Sequence, residues 1–548
     1  MKRVLPALFA VALTIPFWNL GHPLWEVDDA RYAEVPREMH ESGDWLTPSL
    51  NYVDYIEKPP MIYWLGAMSY HLFGVSEAAS RLPLALLAVL GMLGVWWLGT
   101  WLYSPRIGLY AGLLLGTCAQ FTALAHLTTP DMAVSVFLLW ATGLILRCLR
   151  CPEDRWSGTL AWLAMAAAFL SKGLIAVVFP AAWTLLLLFF FPKMRSRLRR
   201  LLLNWGTGAF CLIIGIWFLA MERANPGFFK VFIIEQHFQR FLDTQKYNRP
   251  GPWYFFFGVN VVGTLPWTPL LVPAALLPLL RWRHTDARDR QLVLWFWLIF
   301  IFFSISSSKL ITYILPLFAH QALLGARLAA RLSADVRANR WVMRPAVMLC
   351  ALFIAAAGIA PILLPHLKLP LDLPTGLLAV GTALLLVLAA SQYALAHFGR
   401  RGETKRLMIF GTLSALAVTG FLISGTSYLD DEISVRRMGT ELRARIEHQR
   451  GGKEARIFAY NKYLHGIPFY TGRPVDVVNW IGELHYAKRF KRFAHRFGND
   501  DTIRGLPSPG QSAFVTVQRR DLEHFMNVAP HRAIRGRTDY GPWILFEF

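Results

Sequence analysis

Acidic residues are scarce in this sequence of 548 residues, with 35 Asp and Glu against 56 Lys and Arg. The resulting net charge of +21 could indicate a nucleic-acid-binding protein. The basic residues, however, lie in short clusters between long apolar segments, which is typical of membrane topology. We therefore expect no nucleic-acid partner.

Cysteine is also rare, and its placement excludes one class of fold. The five cysteines lie in or beside apolar segments: Cys118, Cys148, Cys151, Cys211 and Cys350. None falls in the hydrophilic C-terminal tail, so no disulfide framework is expected there. No metal-ligand spacing such as HExxH and no DxD-like repeat is present, so no motif requires a metal or an organic cofactor.

Long apolar runs are abundant, and hydrophobic residues make up 55% of the chain. Runs of roughly 17–25 apolar residues can cross the hydrocarbon core of a bilayer. We predict thirteen transmembrane helices: about 4–21, 81–103, 107–126, 130–150, 157–172, 174–191, 201–221, 253–280, 291–307, 310–330, 343–364, 374–397 and 407–427. No small-x-small cleavage site follows the first run, which favours an uncleaved helix over a signal peptide. The shorter aromatic run 61–74 is interpreted as interfacial.

The distribution of basic residues predicts the orientation. Alternate loops are rich in Lys and Arg: Lys2 and Arg3, Arg106, Arg147 to Arg155, 193–200, 281–290, 327–344 and 400–406. The positive-inside rule then places the N-terminus in the cytoplasm and the C-terminus outside. Three larger elements are predicted to face outward: 22–80, 222–252 and 428–548.

The tail is predicted to be a small α/β domain. Strand-like segments at 455–460, 475–478, 513–517 and 543–548 alternate with helical stretches such as 483–497. The predicted organisation is therefore a transmembrane domain over 1–427 and an outer domain over 428–548.

The first outer loop begins with an acidic doublet. Asp28 or Asp29 can cap a short helix, and Pro36 suits the first turn of a second helix ended by Gly43. Two short helices lying along the membrane surface are expected. The plain interpretation is that both aspartates only cap.

Other ionisable and aromatic side chains occur in the same predicted outward loops. They are Arg31, Tyr55, Glu57, Lys58, Asp131, Glu235, His237, Arg240, Lys309 and Tyr313. The cations suit a lipid phosphate, and the carboxylates suit acid/base work or orientation of a polar sugar. The alternative is ordinary ion pairs and snorkelling cations at a membrane edge.

Six stretches resemble a known family. They are "DDARYAEVPREM", "GDW", "EKPPMIYW", "TPDM", "EQHFQRF" and "SKLITYILP", spread over residues 25 to 316. The sequence resembles the lipid A aminoarabinose transferases, relatives of the protein mannosyltransferases within the GT-C class of membrane glycosyltransferases. The last 230 residues match in layout rather than in motif, and the turn "SSSKLIT" departs from the family pattern, which has a glycine near the lysine and a proline after the leucine.

The resemblance implies a GT-C fold and a reaction. The family moves 4-amino-4-deoxy-L-arabinose from undecaprenyl phosphate to lipid A phosphates at the periplasmic face of the bacterial inner membrane, which gives resistance to polymyxin and other cationic peptides. We expect Asp28 to be the main catalytic carboxylate, with Asp131 as helper and Asp29 as support. Substrate contacts are expected from Arg31, Tyr55, Glu57, Lys58, Arg240, Lys309 and Tyr313. We expect a monomer that contacts membrane lipids.

Three alternatives stay open on the residues alone. Glu57 and His237 are acceptable ligands for a divalent metal ion. A protein O-mannosyltransferase would need Asp28 more strictly as a base, because its acceptor is a hydroxyl group. A secondary transporter would hold its charges near the bilayer midplane, often within repeated halves, whereas no internal repeat is evident here.

Overall fold

Helices dominate the protein because a chain in hydrocarbon must pair its backbone polar groups within each segment. The computed structural model describes residues 3–239, 250–333, 335–366, 375–448, 455–507 and 511–548. These residues form two packing units. The first comprises Met1–Asn19, Leu84–Glu222 and Phe229–Tyr428; the second comprises Leu20–Pro83, Arg223–Phe228 and Leu429–Phe548.

The first unit is helical. Its α-helices are Val4–Ala12, Glu77–Leu102, Pro105–Gly116, Ala119–Ala125, Pro130–Arg150, Ser157–Lys172, Ile175–Phe190, Leu198–Leu202, Trp205–Ala224, Phe255–Gly263, Thr268–Leu280, Ala287–Ile305, Leu315–Arg331, Val336–Leu363, Thr375–Arg400 and Thr404–Thr426. A π-helix covers Lys230–Gln239, and short 3₁₀ helices cover Ile15–Phe17, Pro192–Arg197, Trp282–His284, Ile311–Ile314 and Leu364–His366.

Helices occupy all thirteen predicted segments, but several of the predicted helices are broken. The run 107–126 forms two helices bent by 65°, and the run 253–280 forms two helices separated at Pro266, which lacks a backbone N–H. Among the described residues, six helices are long and apolar enough to cross a membrane, or seven if the bent pair is one span. Three further apolar helices are shorter. The count of thirteen spans stays a prediction.

The second unit contains the first outer loop and the tail. Its α-helices are Asp28–Ser42, Met61–Phe73, Asp430–Ile433, Arg436–His448, Gly466–Thr471, Asp500–Arg504 and Leu522–Val528. Its 3₁₀ helices are Gly482–His485, Ala487–Arg489, Lys491–Arg496, Arg519–Asp521 and His531–Ala533.

The acidic doublet starts one helix rather than two short ones. Asp28–Ser42 is continuous with Pro36 inside it, and neither aspartate is its N-cap residue, which is Val27. Packing outweighs the local cost of proline: the Pro36 ring lies so close to Gly66 that a Cβ there would be 2.8 Å from it. Residues 29–39 are all buried within the protein. That this part of the chain lies along the membrane surface stays a prediction. It ends as predicted at Gly43, in the left-handed conformation.

The tail forms the predicted α/β domain around a six-stranded sheet. The strands are β1 Ser49–Leu50, β2 Val53–Asp54, β3 Arg456–Tyr460, β4 Val475–Val478, β5 Phe497–Gly498, β6 Ala513–Gln518, β7 Gly536–Tyr540 and β8 Trp543–Glu547. β1 and β2 make a separate hairpin, and the large sheet has the order β5-β4-β3-β6-β8-β7. Strands β5, β4, β3 and β6 are parallel to one another. Strand β8 pairs antiparallel with β6, and β7 pairs antiparallel with β8. The helix expected over 483–497 is three 3₁₀ segments followed by the start of β5.

Side chains of the first loop join it to the tail within the second unit. The Glu26 carboxylate accepts hydrogen bonds from the backbone N–H groups of His465 and Gly466, at 3.0 and 2.6 Å. The Asn51 side chain pairs with the backbone of Val475 in both directions, at 2.6 and 2.7 Å. The last stretch of the second unit thus begins at the predicted domain boundary, but this unit also contains the first outer loop, within Leu20–Pro83.

The predicted orientation is testable at exposed serine and threonine positions. Cysteines at Ser42 and Thr440 should react with a membrane-impermeant thiol reagent in intact spheroplasts, because both residues lie in predicted outward elements and are exposed. A cysteine at exposed Ser196, in a predicted cytoplasmic loop, is the matched control and should react only after lysis. Each is compared with the parental chain, whose Cys211 is exposed. Protection of the first two before lysis would contradict the orientation.

Candidate active site

A buried arginine lies at the centre of the ionisable residues of the second unit. Arg31 is 6% exposed, and its Nη1 donates to Oε1 of Glu483 at 2.7 Å. Its Nη2 donates to Oδ1 of Asp28, one helical turn earlier. One guanidinium therefore binds a carboxylate of the first loop and a carboxylate of the tail.

Both partners in this contact are charged near neutral pH. Burial alone would lower the pKa of the Arg31 guanidinium, but the Tyr55 and Asp28 oxygens help to raise it well above its ordinary value. Burial alone would raise the pKa of the Glu483 carboxyl, but the charges of Arg31 and His465 lower it to about 2. Arg31 Nε, which is also buried, has no hydrogen-bond partner in the described part of the chain. The arginine retains a donor for a further acceptor.

Three predicted site residues, Tyr55, Glu57 and Lys58, follow the β1–β2 hairpin. Tyr55 is 1% exposed, and its hydroxyl has no hydrogen-bond partner among the described residues. Burial raises the pKa of Tyr55 well above its ordinary value, so the phenol is neutral. Glu57 is buried with Oε1 3.7 Å from Nδ1 of His485, and Lys58 is half-buried beside Pro59. This segment thus contributes a neutral phenol, a carboxyl group and an ammonium group to the second unit.

Two tail residues complete the cluster and were not predicted. His465 is 1% exposed, with Nδ1 3.5 Å from Oε2 of Glu26 and Nε2 3.9 Å from Oε2 of Glu483. Neither ring nitrogen makes a hydrogen bond within the described chain. Nothing in the tail sequence distinguishes His465 or Glu483 from surface residues, because their partners lie more than 430 positions earlier.

The second aspartate of the doublet has a different environment from the first. Asp29 is 3% exposed. Its Oδ2 accepts a hydrogen bond from Nη2 of Arg81 at 2.5 Å. Arg81 is fully buried and also donates to the backbone carbonyls of Leu20, His22 and Pro23. The Asp28 side chain, by contrast, is 34% exposed. Asp29 therefore holds the start of the first loop in place, while Asp28 is accessible.

The first unit has its own ionisable pair. Asp131, in the first turn of Pro130–Arg150, binds Nζ of Lys172 at the end of Ser157–Lys172. The Lys172 ammonium lies 4.8 Å from the centre of the Tyr313 ring. Asp131 and Tyr313 were predicted, but Lys172 was not. It could have been found, because it is the one charged residue of the sequence between 157 and 191 and charges within apolar segments are usually functional.

Lys309 binds the carbonyl groups at the C-terminal end of a helix. Its ammonium donates to the carbonyls of Phe303, Ser304 and Ser306 at 3.0, 2.7 and 2.6 Å. These oxygens belong to the last turn of Ala287–Ile305 and the residue after it, where carbonyls lack partners within the helix. The carbonyls of the helix end occupy all three ammonium donors in this conformation. A substrate contact from Lys309 stays a prediction.

Two predicted residues lie outside what the structure describes. Arg240 is outside the described residues, and of His237 only the backbone, within Lys230–Gln239, is described. Within the described ranges no group of three or more His, Cys, Asp or Glu side chains could hold a metal ion. The metal alternative at Glu57 and His237 is therefore untested.

Comparison with known proteins gives the relationship of this chain. A sequence profile of the dolichyl-phosphate-mannose-protein mannosyltransferase family matches residues 57–219. The undecaprenyl phosphate-alpha-4-amino-4-deoxy-L-arabinose arabinosyl transferase of Pectobacterium carotovorum is 31% identical over 385 residues, 67% of each chain. The chain belongs to this arabinosyl transferase family. The corresponding enzyme 1 of Sodalis glossinidius is 31% identical over 65% of each chain.

Solved structures show the fold of this arabinosyl transferase. ArnT from Cupriavidus metallidurans bound to undecaprenyl phosphate superposes with a TM-score of 0.84 at 23% identity, covering 100% of this chain and 98% of that one. The oligosaccharyltransferase AglB from Archaeoglobus fulgidus gives 0.51 at 13% identity, covering 86% and 64%. The chain is a glycosyltransferase with the polytopic GT-C membrane fold, as the sequence predicted.

The two aspartates should differ in their effect on stability. Asp29→Asn leaves the buried Arg81 guanidinium without its carboxylate, so we expect a loss of about 3 kcal/mol in the free energy of unfolding. Asp28→Asn removes a partly exposed carboxylate from an arginine that keeps Glu483, so the loss should stay within about 1 kcal/mol. Thermal unfolding of the purified variants in detergent measures both, and equal losses would contradict the assignment of Asp29 to support.

Proposed function

We propose that this arabinosyl transferase moves 4-amino-4-deoxy-L-arabinose from undecaprenyl phosphate to a phosphate of lipid A. The reaction would take place at the periplasmic face of a bacterial inner membrane, and its product would lower the affinity of the cell for polymyxin and other cationic peptides. The observation that supports the proposal most strongly is the buried Arg31 with its remaining donor, beside the unpartnered hydroxyl of Tyr55. Such a pair suits a phosphate, which needs both charge and hydrogen bonds.

The chemistry exchanges one phosphate for another at the anomeric carbon of the sugar. The bond from this carbon to the oxygen of undecaprenyl phosphate breaks, and a bond to an oxygen of the lipid A phosphate forms. Negative charge develops on the departing lipid phosphate, so a fixed cation lowers the barrier. The attacking phosphate oxygen is already anionic near neutral pH, so the reaction needs little help from a general base.

Arg31 and Lys58 are the cations we assign to the departing phosphate. Arg31 is held by two carboxylates, and its Nε remains for an arriving phosphate. The guanidinium is thereby kept in a fixed position before the donor binds, which avoids ordering a flexible side chain during the reaction. Lys58 precedes Pro59 and Pro60, whose rings restrict the backbone that carries it.

Asp28 is the carboxylate we assign to the reacting sugar. It is partly exposed and lies one turn from Arg31, so it is available to orient the sugar or to stabilise positive charge at the anomeric carbon. Asp131, paired with Lys172 in the first unit, is assigned as its helper. Tyr55, Glu57 and Tyr313 are assigned to substrate contacts.

The proposed reaction needs no organic cofactor, and we propose that the protein acts as a monomer. A divalent ion held by Glu57 and His237 is the alternative, in which the ion would polarise the donor phosphate. Arg240 keeps its predicted role as a further phosphate ligand.

The sharpest test replaces the accessible carboxylate. Asp28→Asn keeps the shape of the side chain but removes its charge, so transfer of the aminopentose to lipid A should fall by about 10²-fold or more. The measurement is transfer by purified protein, with the product detected by mass spectrometry. Asp501→Asn, at an exposed carboxylate of the tail, is the matched control and should keep parental activity. Parental activity in Asp28→Asn would remove Asp28 from the reaction.

A further inference from the structure

A basic segment of the tail, residues 488–496, is exposed beside the residues of the candidate active site. It contains Lys488, Arg489, Lys491, Arg492 and Arg496, and the sequence has no Asp or Glu between positions 484 and 499. The segment folds as the 3₁₀ helices Ala487–Arg489 and Lys491–Arg496, which lead into the edge strand β5. It is a fixed surface feature of the second unit.

Contacts with the first loop fix the position of this segment. Just before it, Glu483 binds Arg31 and His485 lies 3.7 Å from Glu57. Within it, Arg492 binds the carboxylate of Asp54, the residue before Tyr55. The basic segment is therefore held against the same short stretch of chain that carries the predicted donor contacts.

Two of the five cations in the segment are lysines without an intramolecular partner among the described residues. The arginines at its end are paired, Arg492 with Asp54 and Arg496 with Asp476. Lys488 and Lys491 are exposed and have no hydrogen bond or ion pair with any residue that the structure describes. An ordinary solvated surface mixes charges of both signs, whereas this one keeps two lysines available.

Aromatic rings keep a further cation of the segment in place. The Arg492 guanidinium lies 5.5 Å from the ring centre of Phe490 and 4.6 Å from that of Phe493. Together with its ion pair to Asp54, these contacts fix the position of the guanidinium. The surface thus presents a fixed arginine next to two exposed lysines.

We propose that the basic segment is the docking surface for the phosphorylated headgroup of the acceptor glycolipid, with Lys488 and Lys491 as its phosphate contacts. This inference rests on the proposed function, in which two anionic phosphates must approach one sugar carbon. Their repulsion requires cations on the acceptor side as well as on the donor side, and Arg31 is already surrounded by carboxylates. The unpaired lysines supply that charge next to the donor contacts.

The test removes the two free charges and compares them with two others. Lys488→Gln/Lys491→Gln should raise KM for lipid A on the order of tenfold, because each lysine near an anionic headgroup contributes to its binding. The kcat at saturating lipid A and the binding of undecaprenyl phosphate should stay within about twofold. The control Arg532→Gln/Arg535→Gln makes the same charge change at exposed residues before β7, the opposite edge of the sheet, and should leave KM unchanged.

Binding without turnover separates this inference from the proposed function. Immobilised full-length protein in detergent is incubated with lipid A, or with phosphatidylglycerol, and the retained lipid is measured. Weaker retention of lipid A alone by the Lys488/Lys491 variant supports the docking surface, whether or not the parental protein transfers sugar. Unchanged retention, an equal loss in the control variant, or an equal loss for phosphatidylglycerol would overturn it. Absence of transfer by the parental protein would contradict the proposed function instead.

Discussion

The buried guanidinium of Arg31 is the constraint on which the second unit depends. A charge taken out of water is costly unless it is paired and hydrogen-bonded, and this one is paired from two directions, by Asp28 and by Glu483. The two carboxylates come from distant parts of the sequence, positions 28 and 483. The helix Asp28–Ser42 and the 3₁₀ helix Gly482–His485 must therefore be in place together for the charge to be satisfied.

This constraint connects the tail to the proposed donor site. The tail contributes Glu483 and His465 to the surroundings of Arg31, and Glu26 accepts hydrogen bonds from the tail backbone in return. Arg31 is the cation that we assign to the donor phosphate and also the partner of Glu483, so the proposed donor site and the tail share one side chain. The basic segment begins five residues after Glu483, and the same link reaches the surface that we assign to the acceptor.

The features that the sequence predicted are those encoded within short stretches of the chain. Asp28, Arg31, Tyr55, Glu57 and Lys58 lie within 31 positions of one another, and four strands of the tail follow from apolar runs of the right length. The strands β5 and β7 were missed because β5 has only two residues and β7 is a polar edge strand, "GRTDY", with alternating exposure. The continuity of the helix through Pro36 was missed because the close approach of Gly66 stabilises it, and that contact is tertiary.

The partners of the site could not be derived from the sequence. The pairing of Glu483 with Arg31 joins residues 452 positions apart, and that of Arg81 with Asp29 joins residues 52 apart. No periodicity or motif encodes such distances, since they depend on how the completed fold brings the segments together. Lys172 is the exception, because a single charge in a long apolar stretch is visible in the sequence itself.

Mass spectrometry of lipid A is the most direct test of the central claim that a buried, doubly paired arginine serves aminopentose transfer. A Gram-negative strain lacking its own transferase would carry either the parental chain or Arg31→Met, which preserves much of the apolar bulk without the charge. We predict an added aminopentose on lipid A with the parental chain and none with Arg31→Met at equal protein abundance. Unmodified lipid A with the parental chain, or parental levels of modification with Arg31→Met, would contradict the account.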